Sequence, residues 1–164
     1  MTNQDLDRVL AWRNHEDVRR YMYTQHEIGL EEHTRWFERA SQDASRHLLV
    51  FESDAVSLGF INFHQIAPGG VADWGFYAAP DAPKGTGRHL GHAALRYAFA
   101  QAGLHKLCGQ ALAYNENSIR FHQKLGFQQE GILREFSGER TVQEVLQGVL
   151  QQAGHPKIRA FYDL

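Results

Sequence analysis

One cysteine, two methionines and four prolines occur among 164 residues. The single thiol, Cys108, closes no disulfide within the chain, and its place in an apolar run marks it as a small core residue rather than a nucleophile. Long apolar runs are missing too. Nothing approaches the ~20 residues of a membrane-spanning helix, and the opening MTNQDLDRVL lacks the charged-then-apolar order of a secretory leader. Neither sign of charge dominates: 17 Lys and Arg stand against 19 Asp and Glu, for a formal net charge of −2. That balance, with no basic block, argues against bulk nucleic-acid binding. Ten histidines invite a metal site, yet His89 and His92 at i,i+3 have no carboxylate or cysteine set at ligand spacing, so no metal is expected. What is present, 43% hydrophobic and 22% charged residues, is the make-up of an ordinary globular protein. The length suits one domain, 1–164, with a single sizeable core, expected to be cytoplasmic and away from membranes.

Apolar spacing predicts a first helix over about Asn3 to Arg13 and a short second one marked by Val18, Tyr21 and Met22, with a loop over 24–29. A third helix, Glu31 to Ala40, carries acids in its first turn and Arg39 in its last, as the helix dipole favours. After Ser41 the period becomes two. Strands are expected at His47–Glu52, Val56–Gln65 and Val71–Ala78, broken by Ser53-Asp54 and by Pro68-Gly69-Gly70. A central helix follows, with Leu90, Ala93, Ala94, Tyr97 and Ala98 on its apolar side and Gly103 as its C-terminal cap. Lys106–Ala113 reads as a strand, and Asn117 as the cap of a short helix, Ser118–Leu125, stopped by Gly126. Gln128–Phe136 and Thr141–Leu150 resemble a hairpin around Ser137-Gly138, and the tail from Gln151 has no period. The order implies an α/β (mixed α+β) fold, a mixed sheet with helices on its faces.

The chain turns on Lys84-Gly85-Thr86-Gly87-Arg88 at the start of the central helix. Two glycines two apart let backbone N–H groups approach an anion closely, the helix dipole adds positive potential, and Lys84 and Arg88 add full charges. Such a loop suits a pyrophosphate; by itself it is also an ordinary strand–turn–helix connection.

Its surroundings carry more. The loop KGTGRHLG, the strand KLCGQALAYN and the segment NENSIRFHQKLGF together resemble the coenzyme-A-binding half of the GNAT N-acetyltransferases. That family's last segment usually reads Asn-x-x-Ala-Ile-x-x-Tyr-x-Lys-x-Gly-Phe. Asn115, Ile119, Lys124, Gly126 and Phe127 match it, Ser118 stands in the alanine position, and His122 falls on the tyrosine. Trp12-Arg13-Asn14, Val18-Arg19, Tyr21-Met22, Glu32-His33 and Trp36-Phe37 resemble the acceptor side of the pseudaminic-acid-pathway branch. That resemblance implies a GNAT fold whose sheet is mostly antiparallel and acetyl-CoA as co-substrate. The implied acceptor is the 4-amino group of a UDP-linked 4-amino-4,6-dideoxy sugar, and the implied assembly a monomer or homodimer. Related GNATs acetylate ribosomal-protein N-termini or polyamines, and a non-catalytic acyl-CoA sensor is a third reading.

Acetyl transfer from a thioester needs a neutral amine, a stabilised oxyanion and a proton for the departing thiolate. Proximity in the bound pair contributes much of the rate, roughly 7–11 kcal/mol in ideal cases. A sugar amine loses its proton readily, so a water chain can serve in place of a strong base. The resemblance implies a bulge in strand Val71–Ala78 that splays it from the next strand. The coenzyme arm would enter the gap and meet backbone groups of Phe76, Tyr77 and Ala78. Lys84, Gly85, Thr86, Gly87 and Arg88 would hold the pyrophosphate and Asn115 the pantetheine. Lys124 would reach the ribose phosphate or stay a solvated lysine. His122 would act as the acid for the thiolate in place of tyrosine, or be structural. Arg13 would pair with an acceptor diphosphate, and Met22, Tyr23, Trp36 and Trp74 would give stacking or apolar contact, with Asn14 and His33 completing the set or serving as helix-end hydrogen-bonders.

Overall fold

Capping starts the chain. In the computed structural model, which describes residues 1–67 and 69–132, Thr2 N–H donates to Asp5 Oδ2 at 2.7 Å and opens a 3-10 turn, Asn3–Asp5. Helix α1, Leu6–Asn14, follows, then α2, Glu16–Arg19, and α3, Leu30–Gln42. The second helix is shorter than Val18, Tyr21 and Met22 suggest. Past Arg20 the chain closes three-residue turns, Tyr21 N–H to Val18 O at 3.1 Å and Met22 N–H to Arg19 O at 3.0 Å.

Among the described residues the sheet has four strands in the order β1 (Arg46–Ser53), β2 (Val56–Ala67), β3 (Val71–Ala78) and β4 (Lys106–Gly109). The first two junctions are antiparallel and the third is parallel. A parallel neighbour demands a crossover. Here it is α4, Thr86–Arg96, running on into a π-helical turn, Tyr97–Gln101. Helix α5, Glu116–Lys124, is the last element among the described residues.

Alternation in the strands splits the core in two. Ile61, Phe63, Ala72, Trp74 and Leu107 bury against Leu90 and Ala94 of α4 and Leu125 beyond α5. On the other face Phe60 buries against Val9 and Trp12 of α1, with Trp36 of α3 alongside. Helices α4 and α5 approach closely because Gly91 has no side chain: a Cβ there would lie 2.7 Å from Phe121 Cζ and 2.9 Å from Leu125 Cδ1.

Four expectations change. Strand β4 stops at Gly109, four residues before Ala113. Asn115, not Asn117, caps α5, accepting Ser118 N–H at 3.1 Å, while Asn117 accepts from Arg120 at 2.9 Å. No bulge interrupts β3. Its register with β2 is regular from Gln65/Ala72 to Gly59/Ala78, and the irregularities fall at Phe51/Glu52 and Gln65/Ala67. Residues 128–132 carry no strand, and the rest of the expected hairpin lies outside the described residues.

Candidate active site

The ladder between β3 and β4 runs from Val71/Lys106 to Trp74/Gly109 and ends there. Beyond it, Gly75, Phe76, Tyr77 and Ala78 keep β2 on one side and, among the described residues, have no strand on the other. The two strands therefore part without a bulge. At the far end of this split the chain reaches Gly85, whose φ of +95° is a left-handed conformation that glycine adopts at no steric cost. Thr86 is buried and opens α4, and Lys84 and Arg88 flank the turn with exposed side chains. The sequence thus places a positive helix start, with two cations, beside an open strand flank. Asn115 stands at the N-terminus of α5 and Lys124, exposed, in its last turn. Nine residues at 1.5 Å put them ~13 Å apart along the axis, so the two cannot grip one group.

At the closed end of the split, Trp74 and His122 are buried, 6% and 3% exposed. The indole stacks on Phe127 at 5.5 Å and lies edge-on to the imidazole, also at 5.5 Å. His122 Nδ1 lies 2.7 Å from the Ser118 carbonyl, which can only accept, so Nδ1 carries the proton and Nε2 presents a lone pair. Burial pushes the His122 pKa below its ordinary value, which the Ser118 bond only partly opposes. Burial thus favours the neutral ring over the imidazolium expected of a thiolate acid.

The opposite sheet face carries polar groups beside its apolar cluster. Asp73, one residue before Trp74, is cross-strand from His64, and burial pushes its carboxyl up to about 6. Tyr23 lies within reach of the Asp73 charge and donates to Gln110 Oε1 at 2.9 Å. Arg13 donates through Nη2 to Thr24 O at 2.8 Å, while its Nη1 is buried with no partner; burial lowers its pKa. His33 stacks on Trp36 at 5.2 Å, and its Nε2 is likewise buried and unpartnered. Its pKa is lowered by burial first and then by Arg13. Asn62 Oδ1 is a further buried, unpartnered atom, on the same face as Asp73 because strand parity puts 62 and 64, 73 and 75 together.

Of the expected acceptor residues, Arg13, Tyr23, His33 and Trp36 therefore share the α1–α3 side. Met22 is half-buried in the loop beside Tyr23. Asn14 does not offer itself to a ligand. Both ends of its amide are bonded to Ile28, Nδ2 to the carbonyl at 2.8 Å and Oδ1 from the N–H at 2.9 Å. Trp74 lies across the sheet in the core. Phe76 packs there too, 4.5 Å from Trp74, whereas Tyr77 points to the α1 side and donates to Val9 O at 3.4 Å. Asp73, Asn62 and Gln110 went unmarked in sequence. A lone carboxylate in the apolar strand VADWGFYA was the available signal for the first; Asn62 and Gln110 gave none.

A three-strand antiparallel run, a crossover helix begun by glycine and a parallel strand that parts from its neighbour are the architecture of an acyl-CoA transferase. Residues 1–128 match the family described as Acetyltransferase (GNAT) domain, and the chain belongs to it. It is an N-acetyltransferase with acetyl-CoA as co-substrate, which sets aside the non-catalytic sensor. Acetyltransferase PseH of Campylobacter jejuni subsp. jejuni serotype O:23/36 (strain 81-176) is 30% identical over 128 residues, 77% of this chain and 79% of that one. The crystal structure of Campylobacter jejuni PseH in complex with acetyl coenzyme A matches with a TM-score of 0.66 at 22% identity, over 82% of this chain and 87% of that one. Spermidine N-acetyltransferase from Vibrio cholerae, in complex with CoA and spermine, matches with a TM-score of 0.76 at 21% identity, over 84% and 83%. At these identities the two structures speak for the fold. No helix among the described residues is long and apolar enough to cross a membrane.

Proposed function

We propose that the enzyme acetylates the 4-amino group of a UDP-linked 4-amino-4,6-dideoxy sugar, as its resemblance to the pseudaminic-acid branch and its 30% identity to PseH suggest. The observation that carries this reading is Arg13. A half-buried guanidinium with an unpartnered Nη1 lacks only an anion, and a nucleotide-sugar diphosphate supplies one. A polyamine would bring another cation to the same place. The His33–Trp36 stack and Tyr23 offer rings to the uracil or the 6-deoxy methyl.

In this reading the acceptor lies on the Asp73 face and the coenzyme arm in the split. The backbone of Phe76, Tyr77 and Ala78 and the Asn115 side chain line the arm, and Lys84, Gly85, Thr86, Gly87 and Arg88 hold the pyrophosphate. Lys124 faces the ribose phosphate. Asp73, ionised above pH ~6, takes a proton from the amine. The nitrogen then bonds to the acyl carbon, the C–S bond breaks, and the thiolate is protonated. Neutral His122 serves as a relay, taking a proton at Nε2 from the adduct and returning it to sulfur. A thiolate is a good enough leaving group for this brief protonation to suffice.

Acetyl-CoA consumption measured with UDP-4-amino-4,6-dideoxy sugars, spermidine and N-terminal peptides tests the acceptor. The sugar nucleotide is expected to show the highest kcat/KM, and Arg13→Ala to lower it roughly tenfold or more, the cost of one charge-assisted bond. Preference for spermidine or a peptide would overturn the assignment.

A further inference from the structure

We infer that Gly75 is the floor of the acceptor well, where its missing side chain lets the carbon that bears the reactive amine rest against β3. Strands β2, β3 and β4 each hold one glycine, although glycine weakens a strand unless something needs the space. At two of them the protein itself needs it: a Cβ would lie 2.5 Å from Leu90 Cδ1 at Gly59 and 2.6 Å from Trp74 Nε1 at Gly109. Gly75 is different. No atom of the described residues comes within 4 Å of the Cβ position, and its φ is not positive, so neither packing nor backbone requires glycine there. It is also the one exposed residue of β3. A strand glycine that the fold does not explain marks a close approach from outside.

Where Gly75 sits identifies what approaches. It is the first residue of β3 past the Trp74/Gly109 rung, where the flank toward β4 opens. Phe76 packs in the α4 core and Tyr77 in the α1 cluster, so a side chain at 75 would face α1 and α3. Asp73 and Tyr77 lie ~7 Å to either side of it along the strand, and Asn62 stands directly across the ladder. A group lying on Gly75 thus meets both the open flank and the Asp73 face. In the proposed reaction that is where an amine gives its proton to Asp73 and attacks a thioester held in the flank. Two kinds of amine use the space differently. An amine on a ring carbon brings two further ring bonds against the strand and needs a flat floor. A primary amine at the end of a chain brings a single CH2 and passes over a methyl group more easily. Gly75 therefore sets how branched the acceptor can be.

The inference rests on the proposed acceptor lying on the Asp73 face, and the test keeps the two apart. Initial rates are measured for wild type, Gly75→Ala and Gly75→Val with a UDP-4-amino-4,6-dideoxy sugar and with spermidine. Acceptor and acetyl-CoA are varied in turn, and Tm is taken for each protein. The sugar's kcat/KM is expected to fall roughly tenfold with Gly75→Val and less with Gly75→Ala. Spermidine should lose less than the sugar, the KM for acetyl-CoA should not change, and Tm should stay level or rise. A sugar kcat/KM that survives both substitutions, or falls no further than that of spermidine, overturns the inference alone. A raised acetyl-CoA KM with an unchanged acceptor KM gives the space to the coenzyme arm, and a fall in Tm gives the glycine to the fold; either refutes it. A wild type that prefers spermidine overturns the proposed acceptor. The well then stands if Gly75→Val lowers spermidine turnover by the same factor, and falls if it does not.

Discussion

The two faces of the sheet are built to opposite rules. Toward α4 and α5, Phe63, Ala72, Leu90 and Ala94 are wholly buried and Trp74 lies within a stack of Phe63, Phe76, Phe121 and Phe127. Burial on this scale, at ~25 cal/mol per Å², supplies the stability. Toward α1 and α3 the same strands carry Asp73 and Asn62, and buried atoms of Asn62, Arg13 and His33 are left without partners. Burying such groups without partners opposes folding. The first side is packed with apolar rings and chains; the second sets an apolar cluster beside polar groups left without partners.

Asp73→Asn breaks the contrast most sharply. The neutral amide cannot take the amine's proton, so kcat/KM for the acceptor is expected to fall roughly a hundredfold or more. In the wild type a limb should appear below pH ~6, the folded value of this carboxyl, and vanish in the variant. Stability moves the other way. Asp73 titrates higher folded than unfolded, so the folded state increasingly loses stability as pH rises from the unfolded value toward about 6. The substitution should therefore raise Tm above pH ~6.5 by several degrees and change little below pH ~3.5, as thermal scans across pH can show. A fall in Tm at neutral pH would mean that the carboxylate is structurally paired.

His122→Phe asks whether the dry face also does chemistry. As a proton relay, His122 should cost kcat roughly tenfold or more on loss while the KM for acetyl-CoA stays close to its value. Unchanged kcat would return it to the core. Gly91→Ala tests that face's packing: the added methyl meets Phe121 and Leu125, and denaturant titration should show a loss of about 1–3 kcal/mol. Asn14→Ala is the mildest. It deletes both bonds to Ile28, which should cost about 1–2 kcal/mol and raise the acceptor KM, leaving that for acetyl-CoA alone.

Local signals were read well where the chain itself carries them. Val71–Ala78 falls at its expected bounds because alternation is clean and glycine and proline close both ends. Gly85, Gly103 and Gly126 all take positive φ where a helix start or stop called for it. Partner-dependent features were harder. Nothing in LCGQALA says that the ladder ends at Gly109, since β3 decides where pairing stops. Trp74 drew attention as an aromatic, while strand parity puts its neighbour Asp73 on the face toward α1 and α3. The polarity of His122 was hidden too, because its ring state is set by a carbonyl one helical turn back.

The double tie between Asn14 and Ile28 spans fourteen positions and anchors the connection between α2 and α3 by its backbone, not by what its side chains recognise. Residues 20–27 are thereby left open to rewriting. Under the proposed function, a lineage can try new amines by altering this tethered arc while the coenzyme side goes untouched, so changes of acceptor should be cheap in evolution and changes of acyl donor rare.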